Sequence, residues 1–159
     1  MGHLRLSASA RRLLRAPNAL FRWGLGPLFG HRFLQLTHRG RRTGRLHQVV
    51  LEVVEWRAAD REAIVMSGLG RDAQWYRNVQ AGGAVEVRIG RARWAPAVRV
   101  LEPAEATAAL AGYERRNRWA APIVRRVLSR LAGFDYDGSA AGRERLVAEL
   151  PLVGLRARD

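Results

Sequence analysis

Residues 33–56 read FLQLTHRGRRTGRLHQVVLEVVEW. Both ends are apolar, and the second is rich in β-branched residues, whereas the middle, Arg39 to Arg45, is polar and carries two glycines. This pattern predicts two strands joined by a tight connection. Gly40 and Gly44 allow positive φ in that connection and leave backbone N–H groups free. Arg39, Arg41, Arg42, Arg45 and Thr43 add side-chain donors around it. An arginine guanidinium is a planar fork that grips phosphate or carboxylate bidentately. The segment therefore reads either as an anion site or as a plain exposed basic hairpin.

Moving outward, further strands follow. Residues 63–67 (AIVMS) form a third, closed by Gly68, and residues 84–89 (AVEVRI) alternate as a strand with one wet face should. Residues 93–101 make a fifth, with Gly90 and Arg91 as the hairpin turn between the last two. Pro96 inside that strand argues for an edge or a bulge. Asp72 can cap a helix over 73–80, and Pro103 opens one running to about Asn117. Further helices are expected over 122–131 and 143–150, and then a closing strand over 152–155. Short strands in succession with helices inserted and appended predict a mainly β chain with α, folded as a small antiparallel barrel with peripheral helices.

The chain has 159 residues, of which 48% are hydrophobic, and this excludes a disordered tail or a fibre. Its formal net charge of +14 predicts an anionic partner. All 28 basic residues are Arg, so Schiff-base and P-loop lysine chemistry are excluded. Cys is absent, which removes disulfides, thiolate metal sites and a cysteine nucleophile. No histidine falls in a metal-ligand spacing, so no metal is expected. Residues 1–51 hold ten Arg and no acid, which concentrates the excess charge near the start. Residues 1–30 are basic and apolar, with helical spacing over 2–16 interrupted at Pro17. They read as a partly helical segment, either packed on the domain or lying against an anionic membrane. Residues 31–159 read as one domain, and the expected location is cytoplasmic or peripheral on the inner face of the cell membrane.

Two further features lie beyond the arginine loop. Ser67 and Gly68 end a strand where a bare backbone can approach a flat ligand or a phosphate closely. Trp75 and Asn78 are three apart on a predicted helix and share a face, so an indole can stack on a ring while an amide binds its edge. Each also has a plain structural reading, Ser67–Gly70 as a turn and Trp75 as core.

In this order, Leu36-Thr37-x-x-Gly40-Arg41-Arg42-Thr43-Gly44, Ser67-Gly68-x-Gly70, Trp75-Tyr76-x-Asn78 and the Val85-Glu86-Val87 strand resemble the deazaflavin-dependent nitroreductase family of actinobacteria and their relatives. The resemblance spans roughly 33–101. It implies the split antiparallel β-barrel of the FMN-binding type and the deazaflavin coenzyme F420, with FMN as the alternative. It further implies that Arg41, Arg42, Thr43 and Gly44 hold the coenzyme's phosphate and acidic tail. Ser67 and Gly68 then lie along the deazaflavin, Trp75 and Asn78 close over it, and the strand bearing Val49 and Leu51 faces the ring. His47 stands where many members have Arg, which implies a weaker, pH-dependent phosphate contact. The tyrosine-rich segment of the nitroreductases is replaced after Tyr113 by Glu114-Arg115-Arg116-Asn117-Arg118-Trp119, which points away from nitro-drug reduction.

The implied activity is hydride transfer from the reduced coenzyme to an electron-poor quinone, enone or nitro acceptor. Tyr76, Tyr113, Tyr136 or water would supply the proton. The alternative is a binding module on the same barrel that holds a flavin, deazaflavin or haem without turnover. Nucleic-acid binding is the weakest reading, because the arginines are not interleaved with aromatics in an RNA-binding pattern.

Overall fold

The computed structural model describes Leu28 and residues 30–158. The expectation of a partly helical segment over 1–30 therefore lies almost wholly outside the described residues. Strands β1 (Phe33–Arg39), β2 (Leu46–Arg57) and β3 (Glu62–Met66) come first. Helix α1 (Gln74–Gln80), β4 (Ala84–Ile89), β5 (Ala92–Trp94) and β6 (Pro96–Val100) follow. Helices α2 (Pro103–Arg116), α3 (Ala121–Ala132) and α4 (Ala140–Glu149) then lead into β7 (Leu152–Ala157).

The strands form one seven-stranded sheet in the order β5-β4-β1-β2-β3-β7-β6. Every neighbouring pair is antiparallel. The two outermost strands, β5 and β6, are consecutive in the chain, with only Ala95 between them. The sheet is thereby curled into a nearly closed barrel, the split-barrel fold with helices outside. β2 is long enough to serve both halves, pairing with β1 through its first part and with β3 through its last. A register shift between Val53 and Glu55 marks the bend, as bulges commonly do where a strand turns a barrel corner.

The single strand expected over 93–101 is in fact two. Pro96 has no N–H to donate, and the chain changes sheet partner there: β5 pairs with β4, β6 with β7. The expected closing strand is instead an interior one, running to Ala157 between β3 and β6. Asp72 does not cap the first helix. It sits in a preceding 3-10 turn, Gly70–Asp72, and Ala73 takes the cap position without a side-chain bond. Helix α4 begins three residues earlier than expected because Ser139 caps it, its hydroxyl accepting from the Gly142 amide at 3.0 Å.

Two cores result. Leu34, Leu36, Val53, Val65, Val87 and Leu155 fill the barrel with Trp75 and Tyr76 from α1. Val54, Ile64 and Leu152 point the other way, onto α2, α3 and α4. Period-2 alternation places Val53 and Val54 in different cores, and β3 is apolar beyond its first residue, Glu62, because both of its faces are covered.

Candidate functional site

The connection between β1 and β2 is a closed hairpin. The Gly40 amide donates to the Arg45 carbonyl and the Gly44 amide to the Gly40 carbonyl, both at 2.8 Å. Gly44 has φ +67, and a Cβ on Gly40 would stand 2.9 Å from the Thr43 hydroxyl. Arg39 Nη1 donates to the Gly44 carbonyl at 3.0 Å. The bend is thus built by its two glycines.

Helix α1 lies against this hairpin. Asn78 is buried between the two, and its Oδ1 accepts from the Arg41 amide at 3.2 Å and from Arg41 Nη1 at 3.0 Å. Its Nδ2 donates to His38 Nδ1 at 3.0 Å. Arg41 Nη1 also donates to Gln74 Oε1 at 3.0 Å. Gly83 permits this approach, since a Cβ there would stand 2.6 Å from the Arg39 carbonyl and 2.7 Å from that of Asn78. His38 is held neutral, its pKa lowered to about 4, first by burial and then by the charge of His47. The two imidazoles stack with centroids 5.6 Å apart.

Between hairpin and helix lies a cleft of about 550 Å³, within the range that suits a flat cofactor ring. Of the residues predicted for the site, Arg41, Arg42, Thr43, His47, Val49, Trp75 and Asn78 line it. Gly44 shapes the bend without lining the cleft. Ser67 is fully buried; its hydroxyl donates to the Gly70 carbonyl at 2.6 Å and closes the 67–70 turn. Gly68 faces away, against Leu131, and Leu69 takes the place at the cleft wall. His38, Gly40, Ala73 and Gln74 also line the cleft; Gly40 belongs to the predicted bend, but none of the four is among the coenzyme-binding residues expected from the sequence. The paired glycines 82–83 after a helix were the available signal for the close approach of α1.

The three tyrosines lie elsewhere. Tyr136 is in the helical core and donates to Glu114 at 2.8 Å. Tyr113 donates to Glu52 at 2.9 Å and lines a second, apolar cavity. Tyr76 is barrel core, with its hydroxyl at 3.4 Å from Arg71 Nη1. Burial pushes the phenols of Tyr113 and Tyr136 well above their usual value, and the neighbouring carboxylates add to it.

The family model of the F420H(2)-dependent quinone reductases matches residues 23–130. The chain belongs to that family. Coenzyme F420 is accordingly its cofactor, and the protein is an F420-dependent oxidoreductase. No curated protein sequence matches the chain. Among solved structures it is similar to a protein of unknown function from Agrobacterium tumefaciens, at 13% identity and a TM-score of 0.51, over 91% of this chain and 56% of that one. An F420-H2 dependent reductase (FDR-A) is similar at 21% identity and a TM-score of 0.44, over 79% of this chain and 95% of that one. A pyridoxinephosphate oxidase family protein from Clostridium acetobutylicum aligns at 5% identity and a TM-score of 0.45, over 87% of this chain and 84% of that one.

The cleft suits an anionic coenzyme on its own evidence. No Asp or Glu lines it. Arg42 makes no ion pair or hydrogen bond with any described residue. A guanidinium at a cleft mouth with no acid to neutralise it is a ready partner for phosphate. Trp75 belongs mostly to the barrel core and is only 8% exposed, but what it shows to the cleft is an apolar wall.

Proposed function

We propose that this reductase uses the cleft between the β1–β2 hairpin and α1 to bind the reduced coenzyme and passes its reducing equivalents to a quinone-type acceptor. The carrying observation is the carboxylate-free cleft that joins Arg41 and Arg42 to Trp75 and Asn78. Arg42, Arg41 and Thr43 hold the phosphate and carboxylate groups, each charge-assisted bond contributing on the order of 1.5–3 kcal/mol. Asn78 fixes Arg41 so that its guanidinium is oriented before the ligand arrives, which lowers the ordering cost of binding. Val49 and Trp75 form the apolar walls that exclude water around the ring. Reduced F420 supplies a hydride; the quinone gains that hydride and a proton and becomes the hydroquinone. The proton comes from water at the solvent-facing mouth of the cleft, because no candidate tyrosine lines it: Tyr76 is barrel core, and Tyr113 and Tyr136 are weakened as acids and bonded to carboxylates.

A quinone is favoured over a nitro compound by the second cavity. It holds about 410 Å³, is lined largely by apolar side chains, and includes Gly68, next to the Leu69 of the coenzyme cleft. A second reading, coenzyme binding without turnover, is favoured by the absence of any tyrosine hydroxyl from the cleft lining.

Titration of the purified protein with oxidised coenzyme tests the first step. Binding is expected at micromolar concentration, and the double variant Arg41→Ala/Arg42→Ala is expected to weaken it by tenfold or more, about 1.4 kcal/mol or above. Its unfolding midpoint should stay near wild type, since both side chains are exposed. Following the absorbance of reduced coenzyme with a panel of quinones, enones and nitro compounds tests the second step. Binding with no acceptor-dependent oxidation would leave only the binding module.

A further inference from the structure

Helix α3 carries apolar residues on two faces. Val124 and Leu128 turn inward onto the helical core. Ile123, Val127 and Leu131 turn outward and are 68%, 49% and 38% exposed, and Trp119, in the turn before the helix, is 73% exposed. Positions 123, 127 and 131 are four apart, so they form one line along the helix. Arg126 and Arg130 follow Ile123 and Val127 by three positions and border that line. The side chains of Arg118, Arg126 and Arg130 make no ion pair or hydrogen bond with any described residue. From Arg115 to Phe134 the chain carries six Arg and no acid. An apolar ridge edged by unpaired guanidinium groups, with an indole at one end, is the chemistry of the lipid headgroup boundary.

The charge decides among occupants. A second copy docked face to face would set these arginines against one another. A nucleic acid would meet the guanidinium groups but leave the aliphatic line uncovered. An anionic bilayer satisfies both, taking the side chains of Ile123 and Val127 into the acyl boundary and the arginines onto lipid phosphates. The apolar cavity under α3 includes Trp119, Ile123, Val127 and Leu131 in its lining, so it opens on the same face.

We propose that helix α3 and Trp119 form a docking surface for an anionic lipid bilayer. The surface shares Trp119, Ile123, Val127 and Leu131 with the apolar cavity that favours a quinone acceptor, but adsorption to a membrane needs neither coenzyme nor acceptor, so vesicle partition is read separately from turnover.

The test is co-sedimentation of the full chain with vesicles of phosphatidylcholine alone or with about 30 mol% phosphatidylglycerol. The wild type is expected to partition about tenfold more strongly onto the anionic vesicles. The double variant Ile123→Glu/Val127→Glu should lower that partition by about tenfold while its circular dichroism and coenzyme titration remain those of the wild type. Arg126→Gln/Arg130→Gln should remove most of the preference for anionic lipid. Three results would overturn the proposal. One is a wild type that stays in the supernatant. Another is a glutamate variant that partitions like the wild type, which would assign adsorption to the basic residues 1–30. The third is a solution dimer that the glutamate variant splits, which would assign the ridge to a second copy.

Discussion

Asn78 has every polar atom of its side chain engaged, and its partners come from 37 to 40 positions away. Its Nδ2 donates to His38 Nδ1, which fixes the proton of the neutral imidazole on Nε2. Replacing it with alanine strands the His38 acceptor and the Arg41 amide, at about 1–3 kcal/mol for the pair left unsatisfied. For Asn78→Ala we expect a lower denaturant midpoint and, because Arg41 is no longer held, coenzyme affinity reduced by about tenfold; unchanged affinity would show that Arg41 orients itself. The same histidine sets a pH dependence. In the unfolded chain it titrates near about 6.5, whereas the folded protein keeps it neutral down to about 4. Protons therefore bind the unfolded state first, and the stability that a neutral His38 confers is complete above about 6.5 and is lost as pH falls toward about 4. Melting temperature measured across that interval should fall, and His38→Asn should flatten the decline.

At the scale of elements, the strand that closes the barrel is held by an ion cluster. Arg99 on β6 bonds Glu62 of β3 at 2.7 and 2.9 Å and Glu105 of α2 at 2.7 and 2.8 Å. Arg57 of β2 reaches Glu105 at 2.5 Å and Glu62 at 3.3 Å. Bonds to Arg99 and Arg57 hold Glu105 at about 2, well below the usual carboxylate range. Gly154 of β7 lies over Glu62, and any Cβ there would collide with the carboxylate. Glu62 is only 2% exposed, so it depends on its partners. Arg99→Ala leaves it Arg57 alone, and because Arg99 itself is partly exposed the cost is about 1–3 kcal/mol. Chemical denaturation should show that loss with coenzyme affinity unchanged, since no member of the cluster lines the cleft. The position of Pro96 was readable as an edge or bulge; that the strand also changes partners there was not, because the partner is β7, more than fifty residues on.

Across the whole molecule, the cleft proposed for the coenzyme forms where the β1–β2 bend meets a helix from another part of the chain. The sequence by itself determined the strands other than the split at Pro96, the glycine-built arginine bend, the helix starts at Pro103 and beside Pro122, and the family motifs. Each of these is carried by contiguous residues through periodicity or backbone preference. Only the tertiary structure decided which of the motif residues share a surface. It turned the Ser67 hydroxyl inward to close its own turn, buried Tyr136 in the helical core, and set His38 behind Asn78. Those outcomes follow from the way the barrel curls and α1 packs across it. Burial and hydrogen-bond partners are properties of residues brought together by chain closure, and local sequence does not encode which distant residue will be there.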